Sequence, residues 1–376
     1  MAITWEWPAT LETNMKPCNV LRHGLVVSAV ALTSAASAQS AAPPAAPATA
    51  PAQGPSTTNV TIYGVVDVSV RHATHYGPSA STYNSVGDAI WAPSRLGFRG
   101  TEDLGDGYKG IFLIEQGFDP SSGTLTMATT SPNYGVGATQ GGRAWGRESW
   151  VGLVTPMGTV TMGRQYTLAH QLSGRFQPSP NPNLDAISGF SVHHVARQDN
   201  MVKYQYTAGP AAFLATVTAS EGNGKAWAVG TSYTGGPFDV AAYWQQMDSF
   251  NGAETRKILG LGGTYKFTES LKGMVGYMKR THRVSAQEND VYSVGVNYRA
   301  TDSLTLLANF LLDSQSKVGI GKRRMAYVAA DYALSKRTGI YAEVDRNQLT
   351  DRYPTTTFMA VRGTQYGVTT GIRHRF

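Results

Sequence analysis

TIYGVVDVSVR, residues 61–71, sets Ile62, Gly64, Val66, Val68 and Val70 on one parity and Thr61, Tyr63, Asp67, Ser69 and Arg71 on the other. Successive side chains of an extended chain point to opposite sides, so this stretch is a strand with one apolar and one polar face. The last segment repeats the pattern, with Tyr366, Val368, Ile372 and Phe376 opposite Gln365, Thr369, Arg373 and Arg375. Between them run the ladders Tyr292-Val294-Val296-Tyr298, Leu304-Leu306-Ala308-Phe310-Leu312, Ala326-Val328-Ala330-Tyr332 and Ile340-Ala342-Val344. Each ends near an aromatic residue or a turn, as strands crossing a bilayer with an interfacial aromatic girdle do.

The connections alternate in length. Short turns fall at 104–107, 155–158, 208–210, 235–237, 268–269, 301–302 and 335–336. Longer polar stretches fall at 72–93, 119–145, 167–196, 221–224, 248–254, 282–288, 314–321 and 350–363. Seven short and eight longer connections join about sixteen strands, with both ends of the run on the short-turn side. That asymmetry belongs to periplasmic turns and extracellular loops, and the expected fold is all-β, a transmembrane antiparallel barrel. A soluble sandwich rarely needs so many strands, and no blade repeat of roughly 40 residues marks a propeller. A soluble barrel would also put its apolar side chains inside, whereas here the face opposite the apolar ladders carries Asp, Glu, Arg, Gln and Asn.

Composition agrees. The 376 residues are 41% hydrophobic with a mean hydropathy of −0.23. Beyond the N-terminus no apolar run approaches the roughly 18 to 20 residues of a spanning helix. Residues 1–38 read as an export signal: Lys16, Arg22 and His23 precede an apolar stretch from Gly24 to Ala36, and Ala36-Ser37-Ala38 is a small-residue cleavage site. Residues 1–14 look unlike a signal, which leaves either Met15 as the start or an unusually long basic region. Residues 39–58 are almost entirely Ala, Pro, Ser and Thr and are expected to be a disordered periplasmic stretch. The barrel is expected over 59–376.

The one cysteine, Cys18, lies in the signal, so the mature chain has no thiol for disulfide or metal chemistry. Cleavage removes Lys16, Arg22, Glu6 and Glu12 and leaves 30 basic against 23 acidic residues, a net +7 as before. These basic residues are spread over alternating strands rather than clustered, which argues against nucleic acid as a partner.

Several segments resemble the general porins of Gram-negative bacteria, in particular the branch typical of β-proteobacteria. They are VTIYGVVD (60–67), SRLGFRGTEDLGDGYK (94–109), EQGF (115–118), ESWVGL (148–153), GTVTMGRQY (158–166) and the terminal GIRHRF (371–376). The resemblance covers essentially all of 59–376. It implies a sixteen-stranded homotrimer in the outer membrane, with the third extracellular loop folded into the lumen. It also implies that the terminal Phe376 is the signal read by the outer-membrane insertion machinery, and that the surroundings are outer-membrane lipid and lipopolysaccharide.

A porin performs no chemistry and needs no cofactor; charges lining a narrow aqueous neck decide what passes. Arg95, Arg164 and Arg197 match positions of the family's basic wall cluster. Alternation puts Arg95 and Arg99 opposite Leu96 and Phe98, facing the lumen. Arg164 shares parity with Val160 and Met162, a lipid-facing position that a guanidinium occupies only at a cost of several kcal/mol. A bulge at Gly163, or a height above the membrane core, resolves the conflict. The third loop, 167–196, carries Arg175, His193 and His194 against one carboxylate, Asp185, so its neck is expected to be net positive and weakly anion-selective for small hydrophilic solutes and ions. Asp67, Glu115, Glu343 and Asp345 are expected as wetted wall charges. His170, His193 and His194 lack an accompanying carboxylate set, and adjacent histidines on an extended chain point apart, so no metal site is expected. The rival readings are an outer-membrane enzyme, for which no G-x-S-x-G nucleophile motif occurs, and a plugged adhesive barrel working through its loops.

Overall fold

The computed structural model describes residues 58–88, 91–127, 133–138, 142–177, 190, 192–356 and 358–376. The export signal, residues 39–57 and Asp185 lie outside the described residues.

The strands are β1 (Thr58–Tyr76), β2 (Ser81–Asp88), β3 (Arg95–Gly105), β4 (Tyr108–Phe118), β5 (Leu125–Thr126) and β6 (Glu148–Thr155). They continue with β7 (Gly158–Tyr166), β8 (Arg197–Ala208), β9 (Ala211–Thr218), β10 (Ala226–Gly235), β11 (Phe238–Asp248) and β12 (Thr255–Lys266). The last six are β13 (Leu271–His282), β14 (Glu288–Arg299), β15 (Leu304–Ser316), β16 (Gly321–Ala333), β17 (Thr338–Asp351) and β18 (Gly363–Arg375). Each wall strand pairs antiparallel with its neighbours, and β1 pairs with β18 from Val65↔Arg375 to Ala73↔Gly367, which closes the sheet on itself. A closed sheet leaves no row of unpaired backbone groups to lipid, where each would cost several kcal/mol.

β2 and β3 act as one wall strand: β2 pairs with the upper half of β1 and β3 with the lower half. β5 is a two-residue addition to the end of β4. Merging β2 with β3 and setting β5 aside leaves sixteen wall strands. The first connection is shorter than the expected 72–93, because β1 runs on to Tyr76 and turns at Gly77 into β2. Tyr76 stacks on Tyr83 at 3.8 Å there. Strands that rise above the bilayer need no apolar outward face, so their Ser, Thr and Asn content looks like loop.

Outward side chains such as Val294, Val296, Phe310, Val328, Val344 and Val368 are exposed. Tyr206, Tyr233, Tyr265, Tyr298 and Tyr332 are exposed near the short-turn ends of their strands, which is the position of an interfacial girdle. The opposite, interior face is mainly polar from β1 to β8, with Val65, Ala73 and Met201 buried among the polar side chains. From β9 to β17 it also carries buried apolar side chains, among them Leu214, Tyr243, Met247, Ile258, Met278, Leu311 and Met325.

Against that apolar half packs the start of the 167–196 connection. Thr167 caps α1 (Leu168–Ser173) by accepting from the His170 backbone N–H at 3.2 Å. Leu168, Leu172, Phe176 and Phe190 are 0–1% exposed within the same apolar cluster. Room for them is made by glycines: a Cβ at Gly230 would overlap Leu172, and one at Gly262 or Gly276 would overlap the Phe176 ring.

Candidate pore constriction

Tyr166, at the end of β7, is the hub of the polar half. Its hydroxyl accepts from Arg147 Nη2 at 2.8 Å and also from Arg197. The Arg197 guanidinium carbon lies 4.2 Å from the ring centroid, and the His170 ring stacks on Tyr166 at 4.9 Å. Arg147 Nε in turn donates to Glu115 at 2.5 Å, Arg95 Nε lies 3.3 Å from the other Glu115 oxygen, and Tyr63 donates to that oxygen at 2.9 Å. Arg99 extends the row, its guanidinium 5.3 Å from the Tyr63 ring. Side chains on β1, β3, β4, β7 and β8, with Arg147 just ahead of β6, therefore form one charged seam.

Arg164 stands apart from this seam. The register slips between Gly163 and Gln165, Gly163 has φ +132°, and a Cβ there would overlap the backbone of Ser149. The slip is a bulge at Gly163, one of the two resolutions of the parity conflict. It turns Arg164 onto Asp199 at 2.6 Å and the Gly146 carbonyl at 2.8 Å, beside Arg143, which also pairs with Asp199 at 2.9 Å.

The loop residues are also dispersed. Arg175 pairs with Asp239 at 2.7 Å, near the periplasmic turn between β10 and β11. His193 Nε2 lies 2.7 Å from Asp313 on β15, and its carbonyl accepts from Arg256 on β12 at 2.9 Å. His194 approaches His170 at 3.3 Å, and its carbonyl accepts from Gln245 at 3.0 Å. Burial, reinforced by Arg197 and Arg147, pushes His170 down to about 3. Burial also lowers His193 and His194, the latter well below its ordinary value. No group of three or more metal-ligating side chains occurs among the described residues.

The remaining carboxylates are built into the wall. Asp67 is 0% exposed and holds the break between β2 and β3: it accepts from Tyr341 at 2.7 Å and from the Ala92 N–H at 3.0 Å, while Ser94 bonds to its backbone. The break turns Trp91 inward, 4.7 Å from Tyr341. Asp345 takes both terminal nitrogens of Arg71 at 2.6 and 3.0 Å, and Glu343 is buried on the same strand. Arg147, Glu148 and Lys203 were missed from sequence, although parity marks the last two: Glu148 opposes Val151 and Leu153, and Lys203 opposes Val202 and Tyr204.

A profile of the Gram-negative porin family matches residues 25–352. The chain is a Gram-negative porin. It is 25% identical to an outer membrane porin protein of Bordetella pertussis, over 85% of this chain and 94% of that one. Among solved structures it is similar to the anion-selective porin from Comamonas acidovorans, with a TM-score of 0.67 and 21% identity over 85% of this porin and all of that chain. It is also similar to the OmpT outer membrane protein of Vibrio cholerae in its trimer form, with a TM-score of 0.63, 16% identity and coverage of 85% and 99%. Family and fold together place the porin in the outer membrane, as a passive channel.

Proposed function

We propose that this porin passes ions and small hydrophilic solutes with a weak preference for anions, that residues 167–196 narrow its lumen, and that it works as a homotrimer. The carrying observation is the seam in which Arg95 and Arg147 pair with Glu115 while Arg147 and Arg197 meet at the Tyr166 hydroxyl, three guanidiniums against one directly paired carboxylate. Fixed guanidiniums beside a narrow aqueous path raise the local concentration of anions. Narrowing is supported by the contacts of Leu172 and Phe176 with the wall and by the His193–Asp313 pair, which ties the connection after β7 to β15. The trimer rests on likeness to a porin solved in that form.

Lipopolysaccharide fits the outward patch of Lys322, Arg324 and Arg346, which make no ion pair with described residues, Arg346 also bordering a largely apolar groove of about 550 Å³. Phe376, outward and terminal, is the residue offered to the insertion machinery.

The test is the reversal potential of the purified porin in a planar bilayer under a tenfold KCl gradient, before and after Arg95→Ala. An anion-preferring sign that shrinks in the variant supports the basic seam. Cation preference overturns the selectivity, and absence of conductance overturns the channel.

A further inference from the structure

Glu115 and Glu148 sit directly opposite each other on β4 and β6. Two carboxylates at cross-strand distance repel each other unless each is compensated. Glu115 is compensated by Arg147, Arg95 and Tyr63. Glu148 receives the Trp150 indole N–H at 3.1 Å and makes no ion pair among the described residues. Across β7 on the same face, Lys203 donates to the Tyr166 carbonyl at 2.8 Å and to Gln171 at 3.2 Å. It too makes no ion pair among the described residues, although a carboxylate lines the same recess.

That recess has a volume of about 450 Å³, within the range of small-molecule sites. Glu148 and Lys203 share its wall with Trp150, Gln171, Gln205 and Thr159. Elsewhere on the interior, Asp345, Asp331 and Asp199 each meet a guanidinium within 3.1 Å. Here an acid and an ammonium are kept apart across open space. Each has lost part of its hydration and is compensated only at a distance, Glu148 by Lys203 and Arg197 and Lys203 by Glu148, a condition that costs free energy until a counter-charge comes into direct contact.

We propose that this recess is a binding subsite for zwitterionic solutes of the amino-acid and short-peptide class. The solute ammonium meets Glu148, its carboxylate meets Lys203, and Trp150 offers the cation an aromatic face. The amides of Gln171 and Gln205 and the Thr159 hydroxyl suit a peptide group between the two charges. A singly charged or neutral solute of equal size satisfies only one end or neither. This rests on the channel reading and names a solute class for it.

The test uses the full porin in planar bilayers, with alanyl-alanine and its blocked, uncharged analogue N-acetyl-alanine amide as probes in KCl. Expected are concentration-dependent interruptions of the current by the dipeptide at about a tenth of the concentration the blocked analogue needs. Glu148→Gln and Lys203→Gln, checked for folding by heat-modifiable migration on gels, should each abolish that advantage. Equal blocking by the two probes on the unmodified porin overturns the subsite whatever the variants do. A dipeptide advantage that survives in both folded variants overturns it as well. An unmodified porin that conducts no KCl overturns the channel reading, and this inference falls with it.

Discussion

Each polar contact of Tyr166 is made by a cation, so small changes around it bear directly on ion passage. Glu115 holds Arg147 at 2.5 Å and Arg95 at 3.3 Å and offsets part of their charge. Glu115→Gln removes that offset. A unit charge about 4 Å from an ion in water is worth about 1 kcal/mol, a factor of about five in local occupancy. The reversal potential in a KCl gradient is expected to move toward anions in Glu115→Gln and toward cations in Arg197→Gln. If neither variant moves it, the seam lies off the ion path. His170, stacked on the same ring, carries a pH dependence. Folding holds it at about 3 against an ordinary 6.5, so between those values the unfolded segment binds the proton and the folded one does not. Stability contributed by the neutral ring is present above about pH 6.5 and is lost as pH falls toward 3. His193 and His194 shift in the same direction. Current noise at pH 4.5 should exceed that at pH 8, and His170→Gln should remove part of the difference. Noise indifferent to pH would mean that these rings do not hold the segment.

At the scale of elements, the decisive contact is between the α1 segment and its glycine-lined wall. Phe176 is 0% exposed, seated where Gly262 and Gly276 leave space, and Leu172 is seated at Gly230. Removing a buried phenylalanine ring costs about 3–5 kcal/mol. Phe176→Ala is expected to loosen the segment and raise single-channel conductance and its fluctuations, while the hydrogen-bonded wall keeps its urea midpoint. Gly276→Leu, where an added Cβ would meet only the Phe176 ring, fills the same space from the other side and should do likewise; traces identical to the parent would show that the segment is held elsewhere. The strands themselves were legible in the sequence, because lipid on one side and water or polar side chains on the other impose a period of two. The bulge at Gly163 was legible as a conflict, since Arg164 stood on an apolar parity. The apolar part of the interior was not read from the sequence, which presents that face as polar, although β15 carries Leu307 and Leu311 on the parity of Asn309 and Asp313. Their reason lies in the buried apolar cluster they share with Leu172 and Phe176, more than a hundred residues away, and no local period encodes such packing. The grouping of Arg147 with Tyr166 likewise needs neighbouring strands to be brought into register first.

The whole molecule depends on one seam joining the two ends of the barrel. β1 and β18 are separated by nearly the entire wall in sequence, so their pairing carries the largest loop-closure entropy of any strand pair. Until it forms, both strands expose unpaired edges that lipid cannot satisfy. At the seam, Phe376 and Gly64 exchange backbone hydrogen bonds of 3.2 and 3.1 Å, and the Phe376 ring lies over the Gly64 α-carbon so closely that a Cβ would overlap it. Gly64→Leu should therefore hinder closure, lowering the heat-modifiable folded fraction in detergent refolding. Phe376→Ala removes the ring and leaves the 2.8 Å approach of the new Cβ to the Arg95 carbonyl, so the double variant should recover part of what Gly64→Leu alone loses. That is a coupling between two substitutions, not a sum, and its sign distinguishes the physical account from general damage. If the defects simply add, the ring and the glycine are independent, and Gly64 has some other reason to lack a side chain.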